Sequence, residues 1–192
     1  MSKLLISLLA GAGIALAGNA GAANMTRDAY KAEKDKIEAA YKADKAACKD
    51  MKGNAKDVCM EEAKAKEKIA KADAEASYKG TEKARYDARV TRAEANYAVA
   101  KEKCDDLSGN DKDVCRKEAK AAEVKAKADA KVAHVSTDAT HNASMKREDA
   151  RKDAAEDKRD AEYKVAVEKC DAMSGNAKTA CVNDAKARYG KS

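Results

Sequence analysis

At 192 residues, with 40 Lys and Arg against 34 Asp and Glu, no Pro, Phe or Trp and an abundance of Ala, the chain is written in helix formers. Its formal charge of +6 is spread through alternating signs, and no aromatic platform accompanies the Lys-rich stretches, which argues against a nucleic-acid role. Such a composition points to an all-α protein of long, Ala-rich, coiled-coil-like helices with little bulky material for a thick core.

The chain opens like an export signal. Lys3 is a short basic region, Leu4 to Ala17 an apolar run broken by Gly11 and Gly13, and Ala20-Gly21-Ala22 a small-x-small cleavage site. The apolar run falls short of the roughly 20 residues of a membrane span, and no second run follows. Residues 1–22 therefore read as a signal peptide, leaving a mature chain from Ala23 with no membrane span and a periplasmic address. Six cysteines in even pairs suit that oxidising compartment.

Beyond the signal, one device occurs three times: a cysteine, a Gly-Asn pair five residues later, and a second cysteine five residues after the Asn. The sets are Cys48, Gly53-Asn54, Cys59; Cys104, Gly109-Asn110, Cys115; and Cys170, Gly175-Asn176, Cys181. Each reads as an antiparallel helical hairpin stapled across its turn by a local disulfide. The Gly suits a left-handed C′ position ending one helix, and the Asn an N-cap beginning the next. Asp57 and Asp113 then fall at N3, where a carboxylate favours the positive end of a helix.

Weaker breaks stand at Gly80-Thr81 and in the polar stretch 134–144. Six helices are expected at 25–52, 55–78, 82–108, 111–134, 143–174 and 177–189, with hairpins spanning 23–79, 80–135 and 136–192. A rival reading runs one helix through Gly80, since a single interior Gly costs only about 1 kcal/mol.

The third helix carries a seam at Tyr86, Val90, Ala93, Tyr97, Ala100, Cys104 and Leu107, in the alternating four- and three-residue steps of a heptad. Fifty-six residues earlier the same seam is Tyr30, Lys34, Ile37, Tyr41, Asp44, Cys48 and Met51. In the last hairpin it decays to Lys152, Glu156 and Arg159. Between 146 and 162, thirteen of seventeen residues are charged, so no continuous apolar stripe is expected there and the segment reads as a solvated or mobile helix.

Residues that could carry chemistry are few. A C-x10-C pair lacks the close spacing of a redox C-x-x-C motif. His134 and His141 are seven apart without a recognisable third ligand, and read as polar loop residues. Tyr41, Tyr97 and Tyr163, each seven residues before a cysteine, read as packing positions. Carboxylate clusters such as Asp105 with Asp106 and Glu61 with Glu62 lack the shaped loop of a calcium site. No catalytic triad, phosphate-cradling loop or cofactor fingerprint is present, so neither an enzyme nor a bound cofactor is expected.

The segments "YKAEKDKIEAAYKADKAACKDMKGNAKDVC", "YAVAKEKCDDLSGNDKDVC" and "YKVAVEKCDAMSGNAKTACVNDAKARYGKS" resemble a group of exported proteobacterial proteins, common in betaproteobacteria and labelled TolA-like cell-envelope proteins. The resemblance implies an envelope location and supplies no functional residues. The chain departs from TolA itself in its cleavable signal and in ending on a short helix. The resulting expectation is a non-catalytic structural or interaction protein of the periplasm whose partner is a protein or envelope component, a homo-oligomer being compatible. The alternatives are a stress protein that sequesters metal ions or shields unfolded clients and, behind it, a thiol-disulfide oxidoreductase.

Overall fold

The computed structural model describes residues 24–136 and 143–191; the expected signal peptide and His141 lie outside the described residues. The described chain forms α1 (Arg27–Ala47), α2 (Gly53–Lys79), α3 (Glu82–Lys103), α4 (Gly109–Ser136), α5 (Ala143–Cys170) and α6 (Gly175–Tyr189), with a 3-10 turn at Cys104–Asp106 and no strand among these residues. Each helix packs against its neighbours in the chain, α1 on α2 through α5 on α6, so the molecule is one antiparallel layer running up and down.

The reason lies in buried alanines two residues apart: Ala63 with Ala65, Ala74 with Ala76, Ala93 with Ala95, and Ala128 with Ala130. At about 100° per residue, two such positions lie roughly 200° apart around a helix, on opposite sides. α2, α3 and α4 thus each carry two narrow seams and are flanked on both. Ala76, flanked by Ala72, packs on Ala84 and Ala88 of α3. On the other side of α3, Tyr86, Tyr97 and Cys104 meet His134, Lys120 and Cys115 of α4. Methyl-sized side chains let the helices approach closely, at the cost of burying little area per contact. The outer helices bury one side only, chiefly at Ile37 in α1 and Ala185 in α6.

The single heptad seam expected in α3 is one of its two. Its residues from Tyr86 to Cys104 are buried or half-buried, whereas Leu107 is 43% exposed. In α1 the seam holds at Tyr30, Ile37, Tyr41, Asp44 and Cys48, but Glu33 takes the place expected for Lys34, and Met51 is exposed.

The charged segment 146–162 departs from its expected solvated state. It is part of the continuous α5, and Ala150, Ala154 and Ala161 are buried against α4 in place of the expected Lys152, Glu156 and Arg159. An alanine every four or seven residues suffices when the seam is narrow. The surrounding charges bridge its edges: Lys131 meets Asp153 at 2.8 Å, Lys169 meets Glu118 at 2.6 Å, Lys117 meets Glu168 at 3.5 Å, and Lys158 pairs with Asp129.

The stapled turns also differ from the sequence reading. The first helix of each hairpin ends at its cysteine: Cys48 is the C-cap of α1, Cys104 that of α3, and Cys170 is the last residue of α5. Antiparallel helices sit 8 to 10 Å or so apart, more than a lone Gly can span, so four or five residues form each turn. Gly53, Gly109 and Gly175 do take the left-handed φ of +56°, yet each is the first residue of the following helix, not C′ of the preceding one. Asn54, Asn110 and Asn176 are consequently second residues and not N-caps; the cap positions before α2 and α6 are Lys52 and Ser174, without a side-chain hydrogen bond. Asp57 and Asp113 fall on the fifth residue of their helices, beyond the first turn.

Gly80 ends α2 in a left-handed cap with φ of +62°, its N–H donating to the Ala76 carbonyl at 2.9 Å, which rules out a helix continuing through it. The Thr81 hydroxyl then accepts from the Ala84 N–H and starts α3, as Thr26 accepts from Ala29 to start α1. A Cβ on Gly80 would fall 1.6 Å from the Asn24 Oδ1, whereas one on Gly109 meets nothing within 4 Å. Gly109→Ala should therefore cost about 1 to 2 kcal/mol, the left-handed penalty alone. Gly80→Ala should cost more, and adding Asn24→Ala should recover the difference. Thermal melts of the three variants check this; equal effects of the single Gly80 and Gly109 variants would mean that Asn24 does not crowd Gly80.

Candidate functional site

The three cysteine pairs join as Cys48 to Cys59, Cys104 to Cys115 and Cys170 to Cys181, each with Cα atoms 5.7 Å apart, inside the roughly 4.4 to 6.8 Å that a bridge requires. The first cysteine of each pair is fully buried beneath its turn and the second is half-buried. No free cysteine remains among the described residues.

At the far end of the first two hairpins, paired rings close what the staples close at the turns. Tyr30 stacks on Tyr78 with centroids 4.6 Å apart and planes 7° from parallel. Fifty-six residues on, Tyr86 meets His134 at 4.9 Å and 30°. His134 is therefore a packing residue inside α4, and not the linker residue that its polar neighbourhood suggested. In the last hairpin α6 stops at Tyr189, which meets Tyr163 edge-on at 6.3 Å, well short of the far end of α5. Tyr41 and Tyr97 are half-buried, each with an ammonium over its ring, Lys45 and Lys120 respectively, both 5.1 Å from the centroid.

The carboxylate clusters are occupied by cations of the chain. Asp105 accepts from Lys112 at 3.1 Å and Arg116 at 2.7 Å, hydrogen bonds that hold its carboxyl below the usual range. Glu61 pairs with Lys64 and Glu62 with Lys103 across to α3. Among the described residues no group of three or more His, Cys, Asp or Glu converges as a metal ion would need. No helix among them is long and apolar enough to cross a membrane.

One buried charge escaped the sequence reading. Glu123, only 5% exposed, lies in the seam between α3 and α4. It accepts from Lys120 and Lys127 at 2.7 Å each, and Lys127 reaches on to Glu94 of α3 at 2.7 Å. Burial opposes its ionisation, but the bonds from Lys120 and Lys127 prevail and hold the carboxyl below its ordinary value of 4.5. Its spacing alone could not reveal this, since most Glu residues of such helices face water.

The grooves beside the seams are open clefts between neighbouring helices, lined by charged stems, with Tyr41 and Met60 in one and Ile69 and Val99 in another. The chain matches no protein-family model, no curated protein and no solved structure. The recurrent features of the described residues are staples, ring pairs and ion pairs that fix helices side by side.

Two outcomes follow from these contacts. Replacing Cys104 and Cys115 together by Ala should lower stability by about 3 kcal/mol in denaturant unfolding, the loop-closure contribution of a bridge with this separation of 11. Glu123→Gln should cost about 1 to 2 kcal/mol at pH 7, discounted for the exposed ammonium partners. Because the folded value is depressed, the stabilisation is complete above about 4.5 and is lost as pH falls through the folded value. The difference between wild type and variant should accordingly shrink in melts taken below pH 4.5 and stay constant above about 6.

Proposed function

We propose that this is an exported, non-catalytic spacer and interaction protein of the cell envelope, working in the periplasm as a repeat of stapled helical hairpins. The observation that carries the reading is the one-layer architecture. Among the described residues the helices pack mainly on their chain neighbours, which leaves two broad faces open and fixes a length and a width. The three disulfides fit an oxidising compartment, and the signal-like residues 1–22 and the resemblance to exported envelope proteins agree with it. Alternating charges on the faces suit contact with other envelope proteins more than burial in a lipid phase.

A second reading, the shielding of unfolded clients, draws on Met51, Leu107 and Met173. Each stands three residues after the first cysteine of its hairpin, each is more than 40% exposed, and the up-and-down order brings all three turns to one end of the layer.

Fractionation of cells should recover the mature protein from the periplasm. A photo-crosslinking residue at Ala39, on the open outer side of α1, should give discrete adducts there that vanish when the first hairpin is unstapled by Cys48→Ala with Cys59→Ala. A cytoplasmic location, or no adduct from Ala39, would remove the spacer reading. If the triple variant Met51→Ser, Leu107→Ser, Met173→Ser lost an ability to keep a reduced, unfolded client in solution while the Ala39 adducts persisted, the assignment would move to the second reading.

A further inference from the structure

The three stapled turns are alike in geometry and unlike in charge. In the second hairpin the residue after the first cysteine is Asp105, which accepts from Lys112 at 3.1 Å and from Arg116 at 2.7 Å. In the third it is Asp171, which accepts from Lys178 at 3.0 Å. In the first hairpin that position is Lys49. The cation opposite is retained as Lys56, whose ammonium, among the described residues, finds only the Lys49 carbonyl, at 3.5 Å. Where Arg116 stands in the second hairpin, the first has Met60.

Lys49 and Lys56 line a groove of about 660 Å³ between α1 and α2, floored by the half-buried Tyr41 and Met60. Five lysines and two glutamates line it. Lys42 is held by Glu38 at 2.7 Å and Lys71 by Glu67 at 2.6 Å, which leaves Lys45, Lys49 and Lys56 without an ion-pair partner among the described residues. Lys45 lies over the Tyr41 ring. A solvated lysine face would need no such departure from the other two turns, which neutralise the same spot internally. The groove is an open cleft, so a ligand would lie along it with one side to solvent.

We propose that this groove binds a single anionic amphiphile, its phosphate head among Lys45, Lys49 and Lys56 and its apolar body along Tyr41 and Met60. The head would replace the carboxylate that Asp105 and Asp171 supply elsewhere, and mutual repulsion of three ammonium groups would be relieved on binding. The site is independent of the spacing role and would remain if that role were wrong.

The test uses the oxidised full chain and methyl and aromatic NMR, with dihexanoyl phosphatidylglycerol kept below its micelle concentration as the probe. It should shift Met60 and Tyr41 signals saturably. Dihexanoyl phosphatidylcholine, with the same tails and no net charge, and inorganic phosphate, a head without tails, should each bind at least about tenfold more weakly, the ratio that 1.4 kcal/mol represents. Lys49→Asp, which installs the residue of the other two turns and so is compatible with the fold, should weaken the probe by a similar factor while leaving the melt intact. The double variant Asp105→Lys, Arg116→Met should create a second site at the second hairpin. Binding by Lys49→Asp within twofold of wild type would overturn the proposal. So would equal binding of the zwitterionic lipid, which would mean apolar partition alone, or of inorganic phosphate, which would mean an unspecific cation patch.

Discussion

Two alanines two residues apart, both buried, are the constraint on which this structure depends. They place contact on opposite sides of one helix, and a chain of such helices can grow only sideways, as a layer. A methyl group buries little area, so every seam is weak per residue and stays closed through length, close approach and fixation of its ends. The disulfide beneath each turn and the ring pair at the far end of the first two hairpins supply that fixation. The last hairpin has a staple but no distant ring pair, because α6 is 15 residues long against 28 in α5.

Charge does a second job that a thick-cored protein would leave to apolar side chains. Around each alanine seam the long stems of Lys and Arg lie along the layer and bring their heads to carboxylates on the next helix, as Lys127 does to Glu94 and Lys131 to Asp153. Exposed pairs of this kind contribute little singly. Repeated along the layer, they favour the antiparallel register, because a shift along the helix axis separates the paired groups. Glu123 is the exception in burial: two lysines satisfy it inside the seam, where an unpaired carboxylate would destabilise the packing of α3 on α4.

A layer of helices among the described residues presents faces, edges and turns to solvent. Turns with identical Cα separations across the staple nevertheless carry different charges, since the position after the cysteine lies outside the seam and is free to vary without disturbing the fold. That freedom separates fold from surface charge within one hairpin: Cys48 and Gly53 hold the turn, while Lys49 and Lys56 set its charge.

The helices and the three local disulfides were legible in the sequence, because each is decided within a dozen residues by propensity or a cysteine spacing; at Gly80 the sequence allowed both a break and a continuous helix, and the left-handed cap decided for the break. The point where each first helix stops was not, since the gap between two packed helices sets how many residues the turn needs. Nor was the second seam. One heptad reading of α3 accounts for the face toward α4 and is silent about Ala84 and Ala88, whose burial depends on α2 lying on the other side. The same holds for α5, where three alanines among thirteen charges look insignificant until α4 is placed against them. The chain alone determined what is helical and where it is stapled; only the tertiary arrangement decided which alanines are core, which charges meet and which lysines are left without a partner, because each of these depends on a neighbour supplied by a distant part of the chain.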